Sequence, residues 1–379
     1  MLDRIVPSRR ISSILLATLG ITLAGGCNAD VLLRLTPKFG PVRVTGASTG
    51  AAAVVPRLNE ELLLPIGIAP NPAARQIVAI DLGTSAVSRI ADIEGASAVD
   101  VISSANWVAW LDRIGGTLQV LDRSTNEKSS LADVDASDLG TTLRALSGDR
   151  LVLHRTAAGT ADSINPQYEL IVANLRKGER TTVADSWATG TCALDGDSLV
   201  LMNDKDVKVE LLGLEFAANI DLVNLATNQR TRIASDLRIS GSEPAVFIAD
   251  GKVFWQEFKP GSFAARLRVY DIASARLSTL IEDFAAVDEE KALVDVRDGR
   301  LLITRVRGNY LTPSAIAILS QPIGGSDLNV LGQYDTLPAG WYLPEARLSD
   351  GFATWTDPVT GKLTAHDFAS GKNRTLVLP

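Results

Sequence analysis

The chain has 379 residues, 46% of them hydrophobic, enough for one large closed all-β domain or for two or three smaller domains. Its 37 Lys and Arg against 44 Asp and Glu leave a net charge of −7, and no basic cluster follows the N-terminus, which argues against nucleic acid as a partner. Two cysteines, Cys27 and Cys192, and two histidines, His154 and His366, are too few for a disulfide framework or for a zinc site built from Cys and His.

The first thirty residues read as an address. Arg4, Arg9 and Arg10 make a basic front end, and an apolar run from Ile11 to Leu23 follows, too short for a comfortable membrane span. "LAGGC" then resembles a bacterial lipobox, with Leu23 one place early and Gly26 before Cys27. That resemblance implies a signal peptide over 1–26, a lipid on Cys27 as the mature N-terminus, and sorting by Asn28 toward the outer membrane. The expected location is the cell envelope, on the periplasmic side of the outer membrane or at the cell surface. An ordinary cleaved signal is the alternative. "SRRIS" resembles a twin-arginine signal, except that Ser12 stands where a bulky apolar residue is preferred.

Residues 27–45 are expected to be a tether and 46–379 a folded domain, with "VRVTG" able to add an edge strand. "GASTG" from Gly46 matches G-x-S-x-G, but no strand precedes it and no helix follows, so a small-residue linker fits better than a nucleophile elbow.

From Asp81 onward one phrase recurs. "AIDLGTS" places Asp81, "VLDRSTN" Asp122, "VANLRKG" Asn174, "LVNLATN" Asn224, "YDIASAR" Asp271, "ILSQPIG" Ser320 and "AHDFASG" Asp367. A repeat near fifty residues signals a repeat fold such as a propeller. Each copy is an apolar run, then an Asp, Asn or Ser able to accept a bond from the turning backbone. Asn126, Gly178, Asn228, Gly324 or Gly371 follows, at the place of a left-handed residue. Upstream, "RALSGDRLVLHR", "CALDGDSLVLMN", "VFIADGKVFWQE", "VDVRDGRLLITR" and "ARLSDGFATWTD" each carry a Gly–Asp or Asp–Gly hairpin turn. The second copy puts Asn106 there, and the first has no clear turn pair.

Each unit therefore reads as four antiparallel strands. Many are apolar on both faces, as sheets covered on both sides require. The expected fold is a single all-β propeller of seven four-stranded blades, ending near Ala91, Ala132, Ala184, Ala234, Ile281, Leu331 and Pro379, with six or eight blades as alternatives. "EDFAAVDEEKALVD" is the one helix-like stretch after the signal. On "ADGKVFWQEF…LRVYDIAS" and "LSDGFATWTD…LTAHDFASG" the chain resembles TolB-like and dipeptidyl-peptidase-like propeller repeats, without the proline of their turn. The resemblance spans nearly the whole mature chain and implies architecture far more than function. The peptidases that share such a propeller carry a separate catalytic domain, and no sequence remains here to build one.

Candidate chemistry is sparse. "DVDASDLG" from Asp133 fails the EF-hand spacing, because Asp138 sits where Gly is needed, and "NDKD" from Asn203 is a second acidic loop; both read as solvated loops. His154, His366 and Cys192 read as structural residues, so no metal, cofactor or catalytic residue is assigned. Trp110, Trp255 and Trp355 recur at one place in the second strand and read as core between blades. Trp187, Trp341 and Tyr342 fall between units, and Tyr310 falls in "VRGNYLTPS". These connections surround the channel mouth, together with the variable stretches "TAAGTADSINPQ" and "DKDVKVELLGLEFAAN", so the four aromatics are the expected ligand surface. The expected function is a lipid-anchored binding or scaffold module for a protein, peptide or glycan. The alternative is a lactonase-like hydrolase or a lyase with a metal at the channel mouth, which needs carboxylates converging from several blades.

Overall fold

The computed structural model describes residues 55–376, apart from connecting segments such as 57–60, 95–100, 157–167, 186–190, 241–245 and 338–345. The chain divides into two units: Met1–Pro37, outside the described residues, and Lys38–Pro379, which holds every described strand.

The described residues are all-β. An N-terminal sheet takes β1 (Val55–Pro56), β2 (Glu61–Ile68), β3 (Asn71–Asp81) and β4 (Val87–Glu94). Three sheets follow in chain order: β5 (Val101–Ser103), β6 (Trp107–Asp112), β7 (Thr117–Asp122) and β8 (Glu127–Leu131); β9 (Thr142–Ser147), β10 (Arg150–Thr156), β11 (Tyr168–Asn174) and β12 (Glu179–Asp185); β13 (Thr191–Asp195), β14 (Ser198–Glu210), β15 (Gly213–Asn224) and β16 (Gln229–Ser240). Three more complete the chain: β17 (Val246–Ala249), β18 (Lys252–Phe258), β19 (Ala265–Asp271) and β20 (Arg276–Ala285); β21 (Glu289–Arg297), β22 (Arg300–Asn309), β23 (Thr312–Pro322) and β24 (Asn329–Tyr334); β25 (Ala346–Ser349), β26 (Phe352–Thr356), β27 (Leu363–Asp367) and β28 (Lys372–Thr375). Every sheet is antiparallel with its strands bonded in chain order, so no strand is exchanged between sheets.

Six blades thus run from Val101 to Thr375, against seven copies of the phrase in the sequence. The remaining copy, at Asp81, belongs to the preceding sheet. There β1 is only two residues long, and the side chains of β1 and β2 lie outside the described residues.

Burial explains the apolar runs. In β6 the five residues Trp107–Leu111 are all buried, and so is every residue of β26, because both faces of each blade pack on a neighbour. Trp110, Trp255 and Trp355 are 4%, 0% and 1% exposed, as expected of repeat-core residues. Trp255 packs on Val200, Met202 and Ile220 of the preceding blade, and Trp355 on Leu302, Ile318 and Leu331.

The repeated phrase is a hairpin whose polar residue anchors the turn. Asp122 Oδ1 accepts the Ser124 amide at 2.8 Å, Asn224 Oδ1 the Thr227 amide at 3.0 Å, and Asp271 Oδ1 the Ser274 amide at 2.9 Å. Asn126, Gly178, Asn228, Gly324 and Gly371 all have positive φ, as the sequence pattern requires, and so do Ser85 and Ala275 in the other two copies. In the sixth copy the anchor position is shifted. Pro322, not Ser320, pairs with Arg300 as Asp271 pairs with Lys252, and Ile323 donates to Gly299 O as Ile272 donates to Gly251 O. Proline has no acceptor side chain, which hid the equivalence. The upstream turns divide by sequence. Asp250–Gly251 and Asp298–Gly299 have positive φ at both residues, the type I′ pattern, whereas Gly148 and Gly196 are positive at the first residue, as in type II′.

Three other expectations are corrected. The helix-like stretch is strand: β20 runs to Ala285 and β21 starts at Glu289, because burial of Phe284 and Ala285 against the next blade outweighs local helix propensity. "DKDVKVELLGLEFAAN" is not a loop but the extension of β14 and β15, paired from Asp206–Ala217 to Glu210–Gly213. "VRGNYLTPS" is likewise mostly strand, since β22 and β23 pair as far as Asn309–Thr312. Fourth strands end at Glu94, Leu131, Asp185, Ser240, Ala285, Tyr334 and Thr375. The largest departure from the expected ends is at Ser240, where β16 follows the lengthened β15 and pairs with Glu215.

Candidate functional site

The two ends of the blades differ. At one end of the six blades from Val101 onward, first and second strands meet in two-residue turns, and several neighbouring turns are bonded together. Ser104 Oγ donates to Gly148 O at 2.9 Å, Trp107 Nε1 to Asp149 Oδ1 at 2.8 Å, and the Gly196 amide to Ser147 Oγ at 2.9 Å. Arg150 pairs with Asp197 and Arg297 with Asp350 in the same way. Burial, and then the charges of Asp350 and Asp250, push the Asp298 carboxyl above the ordinary carboxylate range. These bonds tie several of the turns at that end to one another.

The opposite end carries the second-to-third-strand connections. Its main feature is the ribbon of β14, β15 and β16. β13 stops pairing at Met202, while β14 continues for eight residues to Glu210 and β15 and β16 stay bonded as far as Ser240. At about 3.3 Å per residue that is an overhang of about 25 Å. In the last blade this end is short and firmly held: Trp355 Nε1 donates to Tyr334 Oη at 2.7 Å, and Tyr334 bonds in turn to Asp357.

Trp187, Trp341, Tyr342 and Tyr310, the expected ligand surface, lie outside the described residues, as does Cys27. What frames the four aromatics in the sequence is defined. Asp185, at the end of β12, pairs with Glu169 shortly before Trp187, and Ala346 opens β25 soon after Trp341 and Tyr342. Tyr310 falls in the sequence between Asn309 and Thr312, which pair with each other.

The acidic loop after β8 is held from within. Ser137 bonds Asp135 Oδ1 through its amide at 2.9 Å and also through its hydroxyl. The Arg113 guanidinium donates to Ala136 O at 3.0 Å and Thr141 O at 2.8 Å. Val134 and Ala136 are buried beneath. A guanidinium thus occupies the carbonyl oxygens that a cation would need; Asp133 and Asp138 lie outside the described residues. Asp204 sits in β14, not in a loop. His154 is buried, with Nδ1 3.3 Å from Arg144, and His366 Nδ1 lies 2.7 Å from Asn373 Oδ1 with its ring edge-on to Phe368 at 5.1 Å. Burial pushes the Cys192 thiol up to about 12, so it is no nucleophile at neutral pH. Among the described residues no three His, Cys, Asp or Glu converge to hold a metal ion.

Buried ion pairs were missed from sequence. Glu257 accepts from Trp255 Nε1 at 2.8 Å and from Arg266 Nε at 2.7 Å, and Asp221 is clasped by Arg230 and Arg232. A carboxylate inside the apolar run "NIDLV", opposite a strand "QRTRI", was the available signal.

No family model matches the chain, and no curated protein does. Solved structures do. The β-propeller domain of the Trilobed protease from Pyrococcus furiosus is 12% identical with a TM-score of 0.58, over 86% of this chain and 98% of that one. The Pyrococcus horikoshii acylaminoacyl peptidase is 13% identical with a TM-score of 0.59, over 88% of this chain, which spans about half (53%) of the peptidase. An oligogalacturonate lyase in complex with manganese is 12% identical with a TM-score of 0.55, over 81% of this chain and 85% of that one. At such identities the likeness establishes the fold alone. The chain is a β-propeller of four-stranded antiparallel blades.

Proposed function

We propose that the protein is a lipid-anchored envelope propeller that binds a protein, peptide or glycan on the end carrying the β14–β16 ribbon. The observation that carries this reading is the difference between the two ends. One carries two-residue turns, several of them bonded to each other, while the other bears the ribbon, and in the sequence Trp187, Trp341, Tyr342 and Tyr310 fall between strands that meet that end. Variable extensions on a rigid scaffold are where binding groups sit. TolB-like ancestry and a lipid on Cys27 belong to this proposal.

We also read β1–β4 as a seventh blade. Its first strand touches β5 on one side and β25 on the other, and Val78, Ile80 and Leu82 pack with Phe352, Leu363, Ala365 and Leu376.

The test joins location, stability and capture. Cys27→Ser is expected to move the protein from the membrane to the soluble fraction; unchanged fractionation without labelled fatty acid defeats the anchor. Trp187→Ala and Trp341→Ala are expected to melt like the parent yet lose the partner retained by the parent from detergent-solubilised membranes. Early melting of both assigns the indoles to the core instead.

A further inference from the structure

Asp221 and Glu257 are the acidic side chains fully buried among the described residues, and their arginines behave differently. Arg266, on Glu257, is 25% exposed, whereas Arg230 and Arg232, on Asp221, are 45% and 51% exposed. Asp221 Oδ2 accepts from Arg230 Nε at 3.1 Å, Arg230 Nη2 at 2.7 Å and Arg232 Nη2 at 3.3 Å, and Oδ1 accepts from Arg232 Nε. The carboxylate is spent on orienting two guanidinium groups, each of which keeps its Nη1 hydrogens for another acceptor. Burial alone would push the Asp221 carboxyl up, but the two arginines hold it below the ordinary range, so the clasp is charged at neutral pH.

The pair stands on an edge. β16 is the outermost strand of its sheet, and Gln229–Arg232 are all exposed. Alternate N–H and C=O groups of such an edge point outward. Arg230 and Arg232 are two residues apart, so they share a face at about 7 Å spacing, the repeat of alternate side chains in any extended chain. Asp236 also attracts Arg232, whereas the charged partner shown for Arg230 is Asp221.

We propose that the Gln229–Arg232 edge of β16 is a docking strand for an extended acidic peptide. The peptide adds alongside β16 through backbone hydrogen bonds, and two carboxylates in alternate positions meet Arg230 and Arg232. Guanidinium forks held in advance by Asp221 lose little freedom on binding, and each matches a carboxylate in two-point geometry. A backbone edge joined to a two-residue charge repeat selects a peptide over a polysaccharide, which has no matching amide ladder.

The test uses the full chain and fluorescence anisotropy with a labelled peptide of alternating Glu and Val. Its Lys–Val counterpart, inorganic sulfate and polygalacturonate are compared. The parent is expected to bind the Glu–Val peptide alone, with affinity falling as salt rises. Arg230→Gln and Arg232→Gln should each weaken it by about tenfold or more, the scale of one charge-assisted bond. Asp221→Asn should weaken it less, since both cations remain. If Arg232→Gln unfolds by stranding Asp221, the Asp221→Asn/Arg232→Gln double variant replaces it. Unchanged affinity in folded arginine variants overturns the proposal. So does absence of peptide binding by the parent, or binding of polygalacturonate or sulfate without the peptide.

Discussion

The indole N–H of Trp107 donates to Asp149 Oδ1 at 2.8 Å, from the second strand of one blade to the first turn of the next. The same carboxylate accepts from Arg176 Nε at 2.9 Å through its other oxygen, so one side chain ties two blades and two turns. Burial raises the Asp149 carboxyl, but the bonds from Trp107 and Arg176 outweigh it and leave the group below the usual range. Stability from a depressed carboxylate is present above its unfolded value, about 3.9, and is lost as pH falls through the folded value. Asp149→Asn should therefore flatten the loss of melting temperature below about pH 4. Trp107→Phe should cost about 1 kcal/mol at neutral pH. An acid limb identical in parent and Asp149→Asn would show that the bond is not a stabilising one.

Asp295 has the opposite sign. It accepts from the Leu348 amide at 2.8 Å across two blades and from the Val296 amide at 2.9 Å, near Arg347 and Arg297. Burial nonetheless pushes its carboxyl up. A raised carboxyl stabilises below its unfolded value, and that contribution disappears as pH rises through the folded value. The parent should lose melting temperature relative to Asp295→Asn as pH climbs from about 4 toward 7. A constant difference across that range contradicts the assignment.

Turn strain separates three substitutions. Ala275 is held at φ 52° at the place where five other copies use Gly or Asn, so Ala275→Gly should raise stability by about 0.5–1 kcal/mol. Gly251 has φ 67° with open space around its Cα, so Gly251→Val should cost about 1–3 kcal/mol through backbone strain alone. Asp92 lies in β4, not in a connection between units as its sequence surroundings suggest. It is exposed beside Arg89, and Asp92→Asn should be nearly neutral. Denaturant midpoints rank the three, and a Gly251→Val midpoint equal to that of Asp92→Asn would refute the hairpin geometry.

The contact between β3 and the last blade rests on side chains, with Arg374 Nη1 reaching Gly83 O at 2.9 Å above the packed Leu82, Phe352 and Leu376. Leu82→Ala should cost about 2–5 kcal/mol. Amides of Ile77–Leu82 should lose exchange protection before those of β18. Uniform loss across the chain would show that the ring opens as one unit.

The phrase at Asp122, Asn174, Asn224, Asp271 and Asp367 was legible because a hairpin needs an acceptor and a left-handed residue at fixed offsets, which leave letters in the sequence. Pro322 was not legible, since it keeps the backbone position without the side chain. The ribbon of β14 and β15 reads as a loop in the sequence because "DKDVKVE" is charged and carries little of the apolar alternation that marks a half-buried strand. Trp107 escaped notice beside the repeating Trp110, as its role depends on a turn 42 residues away. For the expected ligand surface, the sequence placed Trp187 and Trp341 between units, but no repeat constrains what those connections do.

Each sheet is one uninterrupted stretch of chain. During synthesis a blade can complete its own hydrogen-bond ladder as soon as its fourth strand is made, without waiting for distant sequence, which keeps contacts local and folding stepwise. The packing of Val78, Ile80 and Leu82 on Phe352, Leu363 and Leu376 is the exception. It joins the earliest-made strands to the latest, so the apolar face of β3 stays uncovered on that side until almost the entire chain has been translated. That face is where a chaperone has most to protect.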